Sequence, residues 1–257
     1  VEDFLIALVI IAFVLFNLSR SKLLVMAIKG LFMTKDERQR LDTFYNKHFI
    51  FYKQLPEKSK SRFLYRTHSI LQEIRILGRH GFTVTQEVRQ FVVGSMVQLT
   101  LGLEFYTLPR FKTVLIYPDS FLSPFTGKRH DGEVNPRGIV VLSWKRFCKG
   151  YEDSTDALNL GLHEMAHALM LTIKYSNRKD NNIDKRLNAV LNLAEIERKN
   201  VIDNPNHLFR EYAGLNAAEF FAVSVENFFE KPKEFKAELP ALYRQLVKLL
   251  NQDPSLL

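Results

Sequence analysis

His163-Glu164-Met165-Ala166-His167 sets two imidazoles four residues apart with a carboxylate beside the first. Residues four apart on a helix share a face, one turn above the other. His163 and His167 can therefore grip one divalent ion together. Glu164 points to nearly the same side, where it can act as general base toward a water on that ion. About 0.01 such H-E-x-x-H matches are expected by chance in a chain of this composition. The flanking residues Leu160, Leu162, Ala166, Ala168, Leu169 and Met170 predict a buried helix. Burying two histidines and a glutamate there is costly unless something compensates, and a metal ion does so. The competing account is a pair of hydrogen-bonded core histidines.

Zinc in a catalytic site takes three protein ligands and keeps one position open. The longer pattern with a third histidine on the same segment fails, because Met170 and Ile173 stand where a glycine and a histidine are needed. A carboxylate from a later helix must serve, and Glu195, Glu197, Glu211, Glu219 and Glu226 are the candidates. Glu219 fits best. It is an isolated carboxylate in the apolar stretch Asn216-Ala217-Ala218-Glu219-Phe220-Phe221-Ala222-Val223. The alternative for Glu219 is a capping box with Asn216, three residues earlier. Glu226, seven residues further on, falls on about the same face and can support the site from behind.

The elements that must position these residues read as a helix-rich α+β protein. Asp36–Lys47 is a helix candidate. Pro56 can start another that carries Phe63, Leu64, Ile70, Leu71, Ile74 and Leu77 and stops near Gly81. Thr85 can cap a third, ending at Gly102. Phe111–Tyr117 reads as a strand closed by Pro118, residues 126–138 as a loop, and Gly138–Trp144 as a second strand. Asp153-Ser154-Thr155-Asp156 offers N-cap chemistry to the H-E-x-x-H helix, which runs to about Ile173. Further helices are expected over Asp184–Lys199, from about Asn216 to Lys231-Pro232, and from Pro240 onward.

The 257 residues, 46% of them hydrophobic, suffice for one sizeable domain. One cysteine, Cys148, rules out a disulfide framework and any cysteine-based zinc site, and it reads as a structural thiol. Phe4 to Phe16 is an unbroken apolar run, preceded by Glu2 and Asp3 and followed by Arg20, Lys22, Lys29 and Lys35. Without a basic leading segment or a small-residue cleavage site, it reads as an anchor rather than a signal peptide. The basic residues after it predict that the following domain stays in the cytoplasm. This divides the chain into a membrane anchor with a basic juxtamembrane segment, 1–34, and a catalytic domain, 35–257. Residues 35–80 carry eleven Lys/Arg against five Asp/Glu within a net charge of +8. That excess suits an acidic lipid surface. No nucleic-acid motif accompanies it.

The H-E-x-x-H helix, the Ala-Glu-Phe-Phe-Ala-Val segment at 218–223 and the Val-Leu-Ser-Trp strand at 141–144 together resemble the Mlc titration factor A family of zinc peptidases. That family is similar in its active site to the catalytic domain of anthrax lethal factor, a gluzincin. The resemblance covers roughly residues 55–250, most strongly 138–230, and leaves the N-terminal apolar run aside. It implies a zincin-like metallopeptidase fold with a small sheet and one zinc ion. His163, His167 and Glu219 would be the ligands, and Glu164 the catalytic base. It also implies an oxyanion-binding tyrosine seven residues before the ligand glutamate, here Tyr212. The strand Val140–Trp144 would line the cleft and pair with an extended substrate. The implied activity is peptide hydrolysis, of aminopeptidase type in some members. The titration-factor name implies a second role, association with a transcriptional repressor.

Overall fold

The computed structural model describes residues 33–175 and 181–257. The chain enters through helix α1 (Lys35–His48), which Thr34 caps by accepting a bond from the Glu37 amide at 3.2 Å. Short α2 (Ile50–Gln54) and long α3 (Glu57–Glu73) follow. Their aromatic residues interlock. Tyr45 meets Phe49 at 5.1 Å and Phe63 at 4.8 Å between ring centroids, nearly edge to face. That arrangement is the one aromatic quadrupoles favour. Phe91 on the next helix, α4 (Gln86–Thr100), joins this cluster, and Thr85 caps α4 as its sequence predicts.

Between α3 and α4 the chain departs from the expected continuous helix. Ile74 turns extended (φ −80°, ψ 136°), and β1 (Arg75–Gly78) is a strand that includes Leu77. The helical spacing of Ile74 and Leu77 is overridden by parallel pairing with β2 (Thr113–Tyr117), where Ile76 lies against Val114. A partner that distant in sequence leaves no local trace.

A small hairpin follows, β3 (Phe121–Leu122) with β4 (Arg129–His130), then β5 (Gly132–Asn135) and β6 (Ile139–Ser143). The expected loop at 126–138 is thus partly strand. Short, polar β5 lacks the alternating pattern that marks a strand. The four-stranded sheet runs β1-β2-β6-β5, parallel except for the antiparallel β5–β6 pair. β6 therefore has neighbours on both sides and cannot pair with a substrate. The outer edge belongs to β5. Trp144 does not end the strand either. Ser143 caps a helix, α5 (Trp144–Glu152), and Trp144 stacks on Phe147 at 5.4 Å.

The buried face of the sheet, with Val114, Ile116, Val140 and Leu142, meets the central helix α6 (Leu160–Lys174). α6 starts at Leu160 with Asn159 as its cap, not at the 153–156 segment. There Thr155 bonds Asp153 and the Leu158 amide bonds Asp156 in local turns. Helix α7 (Asn181–Asp203) outruns its expected span at both ends. A short 3₁₀ turn (Glu211–Gly214) precedes α8 (Ala217–Glu230), and α9 (Pro232–Glu238) and α10 (Pro240–Leu250) close the domain. On α6, Leu162, Met165, Ala166, Ala168 and Leu169 are wholly buried. On α8 so are Phe220, Phe221, Val223, Val225 and Phe228. A helix apolar on nearly every side belongs in the middle of a domain. Each of these Leu, Met, Val and Phe side chains contributes roughly 1.5–3 kcal/mol by leaving water.

Among the described residues no helix is long and apolar enough to cross a membrane. The apolar run at 4–16, on which the anchor expectation rests, lies outside the described residues.

Candidate metal centre

Asn159 anchors the start of α6 to three neighbours. Its side-chain oxygen accepts the Leu162 amide (3.0 Å), and its side-chain nitrogen donates to Gly150 O (2.8 Å) and Glu230 Oε1 (3.0 Å). Its backbone amide donates to Glu226 Oε2 at 2.9 Å. The first turn of α6 is thereby tied to α5 and α8, and that turn carries His163.

His163 and His167 stand one turn apart with ring centroids 4.8 Å apart and planes at 77°. Their Nε2 atoms are 3.2 Å apart. Asn216 caps α8 by accepting the Ala218 and Glu219 amides, which fixes the direction of the first turn. The Glu219 carboxylate lies on the histidines. Oε2 is 3.0 Å from His163 Nε2 and 3.4 Å from His167 Nε2. Three of the other candidates lie elsewhere. Glu195 pairs with Arg198, Glu197 with His207, and Glu211 is exposed.

Behind His163, its Nδ1 meets Glu226 Oε1 at 2.6 Å, and the Glu226 side chain is 1% exposed. A carboxylate there holds the Nδ1–H tautomer and turns Nε2 toward a metal. Arg210 in turn grips both oxygens of Glu226, at 2.8 and 3.1 Å, and donates to Ala157 O at 2.7 Å. Nothing in the sequence marked Arg210 beyond its place two residues before Tyr212.

Glu164, 5% exposed, is pushed above the ordinary carboxylate range, chiefly by burial. Its neighbour is the backbone of β5. A Cβ on Gly132 would meet Glu164 Oε1 at 2.2 Å, so any larger residue there forces the Glu164 side chain or the strand to shift. Pattern reading missed Gly132 because its constraint comes from a helix distant in sequence. Tyr212, on the 3₁₀ turn, is half exposed, with its ring 6.0 Å from that of His163. Burial and the Glu219 and Glu164 charges push its hydroxyl up to about 12.

The carboxylates and the rings stabilise each other's charged forms. Burial alone would raise Glu219, yet hydrogen bonds from His163 and His167 hold it well below the usual carboxylate range. Burial opposes the charged form of His163, yet Glu219 and Glu226 push it up to about 10. The donors also suit a particular ion. His163, His167 and Glu219 offer atoms within 4.8 Å of one another, and the closest separations are 3.0, 3.2 and 3.4 Å. Ligands on a tetrahedral zinc at ~2.0–2.2 Å are separated by roughly 3.3 Å. Two imidazoles and a carboxylate fit that ion.

A partly buried His–His–Glu cluster with a neighbouring buried carboxylate, held on two central helices against a small mixed sheet, is the arrangement of a metallopeptidase. The chain belongs to the glucose-regulated metallo-peptidase M90 family, whose model matches residues 29–250. It is 29% identical to an uncharacterized protein of Synechocystis sp., over 79% of this chain and 80% of that one. It is also 29% identical to Mlc titration factor A of Salmonella arizonae, over 78% of this chain and 86% of the relative. The same factor from Salmonella paratyphi B is 28% identical, over 78% and 82%.

Proposed function

We propose that the chain is a zinc-dependent peptidase in which His163, His167 and Glu219 hold the ion, Glu164 is the general base and Tyr212 binds the oxyanion. The observation that carries this reading is the triangle of His163 Nε2, His167 Nε2 and Glu219 Oε2, with edges of 3.0 to 3.4 Å. When bound, zinc supplies Lewis-acid activation of water and of the scissile carbonyl. The Glu164 carboxylate takes the proton of the attacking water and delivers it to the leaving amine. Its burial suits that task, since a carboxyl raised above its ordinary range holds the proton it has taken more readily before returning it. The Tyr212 hydroxyl, pushed up to about 12, keeps its proton at neutral pH and donates to the developing oxyanion. An extended substrate would pair with the outer edge of β5, which runs past Glu164 at Gly132.

Turnover of amino-acid anilides and of a peptide library, with and without a chelator, tests this reading. Zinc-loaded protein inert toward every peptide would end it. The library also separates aminopeptidase action from cleavage within a chain.

A second reading is association with a protein such as a transcriptional repressor. The titration-factor names of the Salmonella relatives favour it. Exposed Ile202, Tyr212 and Leu215, close to the Glu219 end of the site, could form part of such a surface. Capture that persists in a Glu164→Gln variant without turnover would support it. Tethering through residues 4–16, with the catalytic domain in the cytoplasm, belongs to the same proposal. Recovery of the intact full-length chain in the soluble fraction would refute the tether.

A further inference from the structure

We infer that Arg210 is a positioning residue for the metal centre, a guanidinium clamp that aligns His163 and Tyr212 at the same time. The inference rests on the metal-centre reading above and goes beyond it, since Arg210 bonds Glu226 and Ala157 rather than His163, His167 or Glu219.

Three contacts converge on this one side chain. Its two terminal nitrogens fork onto both oxygens of Glu226, at 2.8 and 3.1 Å. Glu226 is almost wholly buried and accepts from His163 at 2.6 Å, so it needs a cationic partner of fixed direction. A planar fork supplies direction as well as charge, which an ammonium does not.

The second contact is Ala157 O, at 2.7 Å. Ala157 has φ 61°, in the left-handed region that an alanine rarely adopts. A backbone in that state persists where its surroundings hold it. Ala157 stands two residues before Asn159, the cap whose amide donates to Glu226 Oε2. Arg210 thus braces the carboxylate behind His163 and the chain entering the helix that carries His163.

The third contact is local. Arg210 is the residue from which the 3₁₀ turn starts, with the Ala213 amide bonded to Arg210 O at 2.9 Å. Its guanidinium lies 5.7 Å from the centre of the Tyr212 ring. Anchoring the Arg210 side chain on α8 therefore also fixes where Tyr212 emerges relative to His163.

The test is zinc affinity of the full chain by chelator competition, beside kcat and KM at saturating zinc, for wild type, Arg210→Met and Arg210→Lys. Arg210→Met should weaken zinc binding about ten- to a hundredfold, the range for losing support behind a ligand histidine. At saturating zinc its kcat should fall with KM little changed. Arg210→Lys should recover part of the affinity through charge alone. Wild-type zinc affinity in a folded Arg210→Met, even with a lowered melting temperature, would reduce Arg210 to a structural role and overturn the inference. Should Arg210→Met fail to fold, Arg210→Lys decides: several-fold weaker zinc binding supports the clamp, and unchanged binding overturns it. A wild-type chain that takes up no zinc would sink the metal centre itself, and this inference with it. That outcome is read directly and separately from the variants.

Discussion

His163 Nδ1 lies 2.6 Å from Glu226 Oε1, and that carboxylate, buried at the middle of a phenylalanine-rich helix, faces the back of the ring rather than the ion side. Replacing Glu226 with Gln removes the charge but keeps the shape. Zinc affinity should fall about ten- to a hundredfold. Chelator competition measures it, and wild-type affinity would mean that His163 needs no such support.

Glu164→Gln keeps the volume of a buried side chain while removing the base. Peptide hydrolysis should drop about 10²- to 10⁴-fold with zinc content unchanged. Activity within a few-fold of wild type, zinc still bound, would move the base elsewhere.

Tyr212→Phe removes one hydroxyl from a half-exposed ring, so stability should hardly change. The loss of an oxyanion donor predicts a fall of about 10²- to 10³-fold in kcat. Steady-state kinetics with zinc analysis on the same sample checks it, and equal kcat would assign Tyr212 to packing alone.

Gly132→Ala puts a methyl group 2.2 Å from Glu164 Oε1. Either the carboxylate or strand β5 must shift. Because an ångström of misplacement can cost ~10²-fold in rate, activity should fall by at least tenfold. Retained activity would show that Glu164 has room to move.

Glu230 gives a pH signature distinct from the metal. Burial, chiefly, pushes it from 4.5 up to about 8, and Asn159 donates to its Oε1 at 3.0 Å. A carboxyl raised in the folded state adds stability that is complete below about 4.5 and is lost as the pH climbs through about 8. Glu230→Gln keeps an oxygen for Asn159 and cannot ionise. Thermal melts should therefore show the variant gaining on wild type as the pH rises from acid to mildly alkaline. At this size each kcal/mol appears as ~2–4 °C. Parallel profiles would mean that Glu230 titrates normally.

Much of this site is legible without a structure, and the reasons differ by residue. His163, Glu164 and His167 are readable because four residues make about one helical turn, so chain spacing is already spatial proximity. Asn216 is readable as a cap because its partners, the Ala218 and Glu219 amides, are two and three residues away. Thr85 is legible for the same reason. The start of α6 is not legible, because residues 153–156 carry equally good cap chemistry and Asn159 wins through bonds to Gly150, Glu226 and Glu230.

By itself the sequence determined that two histidines and a glutamate share a buried helical face, and that the chain is a helix-rich α+β protein. Tertiary structure decided which distant carboxylate meets those rings: Glu219 on the Nε2 side of both, Glu226 on the far side of His163. It also decided that β5 rather than β6 lies at the edge of the sheet, that Gly132 packs against Glu164, and that Arg210 forks onto Glu226. The reason is range. Helical periodicity and caps act over three or four residues. The meeting of α6 with α8 and β5 depends on burying apolar surface between segments dozens of residues apart, and no local pattern carries that.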